Sequence, residues 1–465
     1  MAETKDASTR PHRLRLIKRS FWLVVVSLIT LVGFGSGCAM MRDVLGVKDQ
    51  LAQARSLGRI HGQIGVEGGS TGTLVVVIGV PDKNDSGKIK GLDSYVRVRA
   101  GSYAFPVNPG RYVVGAYEDR NRNGLLDPME LVKRLSDARE FEVAAGEIET
   151  VDIHLTMSDS ASDLTESINV FEIIARSLEE QNEFSLWAWS KKGELCSDLG
   201  NDAFGPATGR RGLWRFRDFL NEGLAGIYFL EEYDPDRIPV LFVHGIAGYP
   251  QEFTTLIDGL DRDRFQPWFY YYPSGYPLDG ISNHLSVLLE RVQVEHDFEE
   301  FAIVAHSMGG LVARGAILKY QEETQQHDIR LLVSISTPWG GDADAGKAEE
   351  AKIELPPSLS DMNPNGEYLR WIFWEDDERT RPRNLAPETD FHMIFGFGMR
   401  RSGTFANDGK VRVSSQTRAE ARDRALSRWP YDYDHRDILS APEVVDRLNM
   451  ILDERFRGGW LAGRS

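Results

Sequence analysis

The stretch FAIVAHSMGGLVARGAILKY, Phe301–Tyr320, joins two patterns with almost no spacer. Phe301 to Val304 is an uninterrupted apolar run, the signature of a strand covered on both faces. From Gly309 the sequence GGLVARGAILKY reads as a helix. The turn between them is left to His306, Ser307 and Met308. A serine held there stands above the sheet edge, with its hydroxyl at a helix N-terminus that favours developing negative charge. Such packing needs small residues two before and two after the serine. Gly309 meets the second need, and Ala305 meets the first if its backbone angles are ordinary for a strand end.

The same alternation continues on both sides. IYFLEEY, IPVLFVHG, FQPWFYYYPSG, RLLVSISTPWGG and DFHMIFGFG read as further strands, with EFTTLIDGL, ISNHLSVLLERVQVEH and LVARGAILKYQEE as helices between them. Near-continuous apolar strands divided by helices predict an α/β architecture, a mostly parallel sheet covered on both faces, over residues 226–465.

Strand, serine turn and helix together resemble the nucleophile elbow GxSxG of the α/β-hydrolase family, within it the lipase and GPI-inositol-deacylase-like group. One group of small bacterial lipases carries the same AHSMGG. The resemblance implies a carboxylic ester hydrolase, an esterase or lipase, with Ser307 as nucleophile. It implies an oxyanion hole at the backbone N–H groups of Ile246, in the turn HGIAG, and Met308, and leaves His244 to hold that turn. NDGKVRVSS places the acid at Asp408, with Asp342 and Asp344 as runners-up and a plain Asp-Gly hairpin as the alternative. His435, ahead of the C-terminal helix, completes the order Ser, Asp, His. His306 is expected to point away from the site, and His284, His296, His327 and His392 to be surface or core residues. No cofactor is implied for catalysis. An acyltransferase using the same three residues, or a catalytically idle tethered binding module, are the competing readings. Residues of about 342–388 form an insert in which Leu369, Trp371, Ile372, Phe373 and Trp374 make either a greasy lid for a lipid surface or, the favoured reading, packing over the sheet.

Residues 58–157 differ in texture. TLVVVIGV, SYVRVRAG, SYAFPV, RYVVGAYE, REFEVA and TVDIHLTM are short strands separated by Gly, Pro, Asn and Asp, as in a small antiparallel β-sandwich. FPVNPGRYVVGAYED resembles transthyretin-like and prealbumin-like modules. In the same region DRNRNGLLDPME, Asp119–Glu130, fits the spacing of a calcium loop, with Asp119, Asn121, Asn123, Asp127, Glu130 and the Leu125 carbonyl as ligands of a structural Ca2+. A strand precedes the loop and Pro128 lies inside it, so a polar hairpin loop is the alternative. Residues 158–225 read as a connector: DLTESINVFEIIARSLEEQ at helical spacing, followed by Trp- and Gly-rich stretches.

The chain begins differently again. Arg10, Arg13, Arg15, Lys18 and Arg19 precede the apolar run FWLVVVSLITLVGFG and then Ser36, Gly37 and Cys38, which together describe an export signal over residues 1–38. The small residues before Cys38 resemble a bacterial lipobox, although Gly35 stands where a leucine is usual. The resemblance implies a lipidated Cys38, export to the bacterial envelope, and an outer-membrane lipoprotein facing the periplasm or the surface; an uncleaved membrane anchor is the alternative. The 465 residues, 42% hydrophobic and 27% charged, suit a globular chain of more than one domain. The 54 basic and 70 acidic residues exclude a general nucleic-acid binder, and loss of residues 1–37 would leave 48 against 68, a charge of −20. Expected partners are an ester or lipid substrate and a membrane. With two cysteines and Cys38 acylated, no intramolecular disulfide remains, and Cys196 reads as a small buried hydrophobe.

Overall fold

The computed structural model describes residues 58–457 except 71, 83–87, 99–100, 108, 122–124, 146, 171–172, 174–190, 197, 351–354 and 399–405. Cys38, the export segment and most of the helix expected over residues 163–181 lie outside the described residues.

Eight strands form the main sheet: β1 Lys191–Leu195, β2 Gly226–Phe229, β3 Ile238–Val243, β4 Phe265–Tyr271, β5 Phe301–His306, β6 Ile329–Ile335, β7 Asp390–Gly396 and β8 Ser427–Tyr431. Their order is β1-β2-β4-β3-β5-β6-β7-β8. β3 through β8 run parallel, and β2, paired antiparallel to β4 and parallel to β1, reverses direction at one end. The six strands expected between residues 226 and 398 are present. The two outermost, β1 and β8, add to them, and β1 belongs to the segment read as a connector.

Three long helices cover the sheet: α1 Leu278–His296, α2 Met308–Thr324 and α3 Pro442–Arg455. One core lies on the face covered by α1 and α2, and the other on the face covered by α3. Both are needed because β5 is buried along its whole length. On β4, Trp268 stacks on Phe229 of β2 with ring centroids 3.9 Å apart, and Phe269 stacks on Tyr228, so the aromatic run is strand core on both faces.

The first part of the chain forms two smaller sheets. Thr73–Pro81 lies between Ile89–Val98 and Gly110–Asp119 in antiparallel register. Gly58–Val66, a strand whose alternation turns Ile60 and Ile64 inward, pairs antiparallel with Gly101–Val107. It also pairs in parallel with Ile148–Thr150 and Ile153–Leu155, which departs from the all-antiparallel expectation. Val75, Val77, Tyr117 and Leu126 pack with Val287 of α1, so the sheet of Thr73–Pro81 rests on the helical layer of the main sheet.

The insert packs inward. Leu369, Ile372 and Phe373 are fully buried, and Trp371 and Trp374 pack against the same core. Arg314 of α2, 2% exposed, donates from Nε to the Ile372 carbonyl at 2.9 Å and from a terminal nitrogen to the Arg383 carbonyl at 2.7 Å. Its guanidinium also lies over the Phe373 ring. Burial, with Arg424 and Arg383 nearby, pulls Arg314 down to about 9, so the carbonyls and the ring are what hold its charge in place. Asp361, from the insert, accepts the first N–H of α1. Arg314→Met should therefore lower unfolding free energy by about 2–4 kcal/mol through two orphaned carbonyls, measured by urea denaturation.

Candidate active site

Ser307 ends β5 with φ 54° and ψ −130°, a backbone conformation that L residues avoid and that turns its side chain out of the sheet. The turn is held by its own hydrogen bonds, Ser307 N–H to the Ile335 carbonyl and Gly310 N–H to the Ser307 carbonyl. Gly309 seats the helix: a Cβ there would stand 2.4 Å from the carbonyl oxygens of both Val243 and His244. Ala305, fully buried in the strand, carries no such constraint and its φ is not positive.

Three side chains distant in sequence meet at this turn. The Ser307 hydroxyl donates to His435 Nε2 at 2.8 Å, and His435 Nδ1–H donates to Asp408 Oδ2 at 2.7 Å. Asp408 is fully buried. Its Oδ1 accepts the N–H groups of Lys410 and Val411 at 3.0 and 2.7 Å, and its carbonyl accepts the His435 N–H at 2.8 Å. Burial pushes the Asp408 carboxyl up, but His435 and the two amides outweigh it and leave it below the ordinary value. Burial pulls His435 down; Asp408 pulls the other way, His306 and Arg436 reinforce burial, and the imidazole ends below 6.5.

Gln416 went unnoticed in the sequence. It is 1% exposed, and its amide nitrogen reaches Asp408 Oδ2 at 3.2 Å and the carbonyls of Gly396 and Val411 at 2.9 and 3.1 Å, while its oxygen accepts Gly396 N–H. It ties the acid-bearing loop to the end of β7. No motif or periodicity marks such a residue.

The HGIAG turn lies against the serine: a Cβ on Gly245 would stand 2.7 Å from Ser307 Cβ. Ala247 N–H is taken by Ser274 Oγ and Gly248 N–H by the Gly245 carbonyl. The N–H groups of Ile246 and Met308 have no protein acceptor among the described residues. His244 is fully buried, donates from Nδ1 to the Gly245 carbonyl, accepts Tyr272 N–H at Nε2 and stacks on Tyr272, which makes it a turn-holding residue. His306 turns beneath the His435 loop and donates from Nε2 to the His435 carbonyl at 2.8 Å. The other histidines pair elsewhere, His284 with Tyr270 and His392 with Ser427. Asp342 accepts Asp344 N–H and Asp344 pairs with Lys347, so neither runner-up carboxylate meets His435.

In the loop expected to hold calcium, Asn121 donates to Asp127 Oδ2 at 2.7 Å and Ser167 donates to Asp127 Oδ1. Glu130 accepts the N–H groups of Arg120 and Asp127 at 2.7 and 2.9 Å. Asp119 is buried at the end of its strand, Leu125 follows in the loop, and Asn123 lies outside the described residues. As arranged, the Asp127 and Glu130 carboxylates face protein donors, and no three acidic, histidine or cysteine side chains converge as metal ligands among the described residues.

Strand order, the serine turn and the helices on both faces define an α/β-hydrolase fold, preceded by antiparallel sheet structure. No protein-family model matches the sequence, and no curated protein does. Among solved structures, the mature form of the lipase BlEst2 from Bacillus licheniformis aligns at 16% identity with a TM-score of 0.37, over 48% of this chain and 94% of that one. The product of the gene lin2722 from Listeria innocua aligns at 18% and 0.36, over 47% and 95%. Est1E from Butyrivibrio proteoclasticus aligns at 12% and 0.34, over 50% and 93%.

The seating of Gly309 sets a test. Gly309→Val should cost about 2–4 kcal/mol and displace the turn, because both neighbours are backbone, whereas Ala305→Gly should cost about 1 kcal/mol or less. Thermal unfolding of the two variants checks this.

Proposed function

We propose that the chain is a serine hydrolase of carboxylic esters, of the esterase or lipase kind. The observation that carries this reading is the continuous hydrogen-bonded line from Ser307 Oγ through the His435 ring to Asp408, set on a strained turn. In the proposed reaction Ser307 Oγ attacks the ester carbonyl carbon while His435 Nε2 takes the hydroxyl proton. Asp408 keeps the imidazole in the tautomer that leaves Nε2 free to accept, and stabilises the imidazolium that forms. The carbonyl oxygen becomes an oxyanion held by the N–H groups of Ile246 and Met308. Collapse expels the alcohol, which leaves with the proton from His435. Water then attacks the acyl-enzyme by the same route in reverse and releases the acid.

The reading extends to the chain's location. Export and lipidation at Cys38 would tether the enzyme to the bacterial envelope and hold it near lipid esters. An alkynyl fatty acid fed to expressing cells should label the protein, and Cys38→Ser should abolish the label.

A fluorophosphonate probe tests the chemistry. It should label wild type once, on Ser307, and Ser307→Ala should show no label; an unlabelled folded wild type would sink the proposal. Asp408→Asn, which forces the imidazole toward the wrong tautomer, should lower kcat by about 10⁴-fold on an ester panel.

The pH profile has a defined sign. His435 acts as base only when neutral, and its environment holds it below 6.5. The rate should therefore fall as pH drops through that lowered value, and the acid limb of kcat/KM should centre below 6.5. An acid limb centred above 6.5 would contradict the assignment.

A further inference from the structure

Beneath the Ser307–His435 pair lies a second buried pair that the proposed reaction does not use. Glu252 sits in the short 3₁₀ turn Pro250–Phe253 that follows the HGIAG loop. Its side chain is 6% exposed, and Oε1 lies 3.6 Å from His306 Nδ1. Neither atom has another partner, and both are buried. The other nitrogen of the same ring, His306 Nε2, lies 2.8 Å from the backbone carbonyl of His435. The two imidazole rings are 4.8 Å apart. Gly248 leaves room for the carboxylate, since a Cβ there would stand 2.9 Å from Oε1.

Hydrogen-bond chemistry requires a proton between Glu252 Oε1 and His306 Nδ1. A carbonyl only accepts, so His306 Nε2 carries a hydrogen. If Nδ1 were bare, its lone pair would face a buried carboxylate with no donor between them, leaving two unsatisfied acceptors in contact. A proton on Nδ1 removes that conflict and turns the contact into an ion pair, while Nε2 donates to the His435 carbonyl. Burial pushes the Glu252 carboxyl up, yet His306, then His244 and Arg436, outweigh it and hold it below its ordinary value, which agrees with an ionised partner.

We propose that Glu252 and His306 form a buried ion pair that positions His435 and lowers the pH at which His435 begins to act as base. The inference rests on the reading of His435 as the base. The positioning comes from the imidazolium grip on the His435 carbonyl, which fixes the loop from below while Asp408 fixes the ring from the side. The tuning comes from charge order: the positive end of the pair is the end next to His435, and it disfavours a second positive charge there. The groups around the pair are His244 and the HGIAG turn on one side, Tyr271 and Tyr272 from the end of β4, and Asp408, His435 and Arg436 from the loops above. Of these, Asp408 is already committed to His435, and Arg436 is exposed, with its guanidinium over the Tyr249 ring. Both tyrosine hydroxyls are pushed far up by burial, so neither supplies a competing charge. His244, pulled down to about 4, is neutral.

The test uses the whole folded protein. In wild type, a long-range ¹H–¹⁵N histidine spectrum, with His306 assigned by its contacts to His435, should show both ring nitrogens protonated. In Glu252→Gln the amide can donate to Nδ1 at unchanged size, so His306 should revert to one ring proton. The acid limb of kcat/KM should then move up by at least about half a pH unit, because the positive end of the pair is gone. A merely structural role for Glu252 would change stability or the plateau rate but leave the limb in place. A singly protonated His306 in wild type overturns the proposal, and so does an unmoved limb in the variant. If Glu252→Gln does not fold, the wild-type spectrum decides alone. An unlabelled Ser307 beside a doubly protonated His306 would overturn the hydrolase reading while leaving the ion pair standing.

Discussion

The structure depends on one backbone residue held where it would not rest by itself. Ser307, at φ 54° and ψ −130°, costs on the order of 1–3 kcal/mol relative to an ordinary conformation. The surroundings over-determine it. The serine N–H is claimed by β6, and the following helix cannot slide because Gly309 lies directly on the carbonyls at the end of β3. α2 is buried without a break from Met308 to Leu318, so the strain is met by packing along most of its length. The result is a hydroxyl fixed at a helix N-terminus, with the free amide of Met308 next to it.

Burial sets a second constraint, of opposite sign for the two groups that flank the serine. It raises a carboxyl and lowers an imidazole, so an unpaired Asp408 and His435 would both be driven toward their neutral forms. Pairing reverses this for Asp408, which also gains two amides and Gln416, and only partly for His435. An ionised acid beside a neutral, hydrogen-bonded imidazole is the state that proton transfer from a hydroxyl requires. The Glu252–His306 pair adds a like-charged neighbour on the far side of the base. Two carboxylates thus act on one histidine, one directly and one through another ring.

What could be read in the sequence follows from how each feature is encoded. Strands β2 to β7 and the three long helices announce themselves through local hydrophobic pattern, because burial on both faces demands it. Ser307, Asp408 and His435, which the fold brings together, each sit at a strand end or loop that chain order marks. The outermost strands escaped: Lys191–Leu195 has two lysines and a glutamate, and Ser427–Tyr431 is polar and contains Pro430, as edge strands are. The parallel pairing of Gly58–Val66 with residues 148–155 is a contact across about 90 positions, which no local pattern records. Gln416 and Glu252 escaped for a related reason. Each is a polar residue whose meaning lies in partners brought together by the fold. The HSMGG motif names His306 but not its carboxylate.

The insert is where a lid reading and a packing reading of one sequence divide on physical grounds. Leu369, Trp371, Ile372, Phe373 and Trp374 have the composition of either. What separates them is Arg314, a cation that holds the insert through its backbone at Ile372 and Arg383. Swinging the insert outward would leave that guanidinium buried with no acceptor, or drag it off the helix that carries Ser307. Arg418 also lies over the Phe373 ring, and Lys319 and Arg383 over that of Trp371, so these rings pack against cations of the fold itself. The end of α1 adds a further tie, since its first N–H is capped by Asp361. Insert, α1 and α2 therefore form a single packed layer. That layer is held by one buried charge on the helix that begins directly after Ser307.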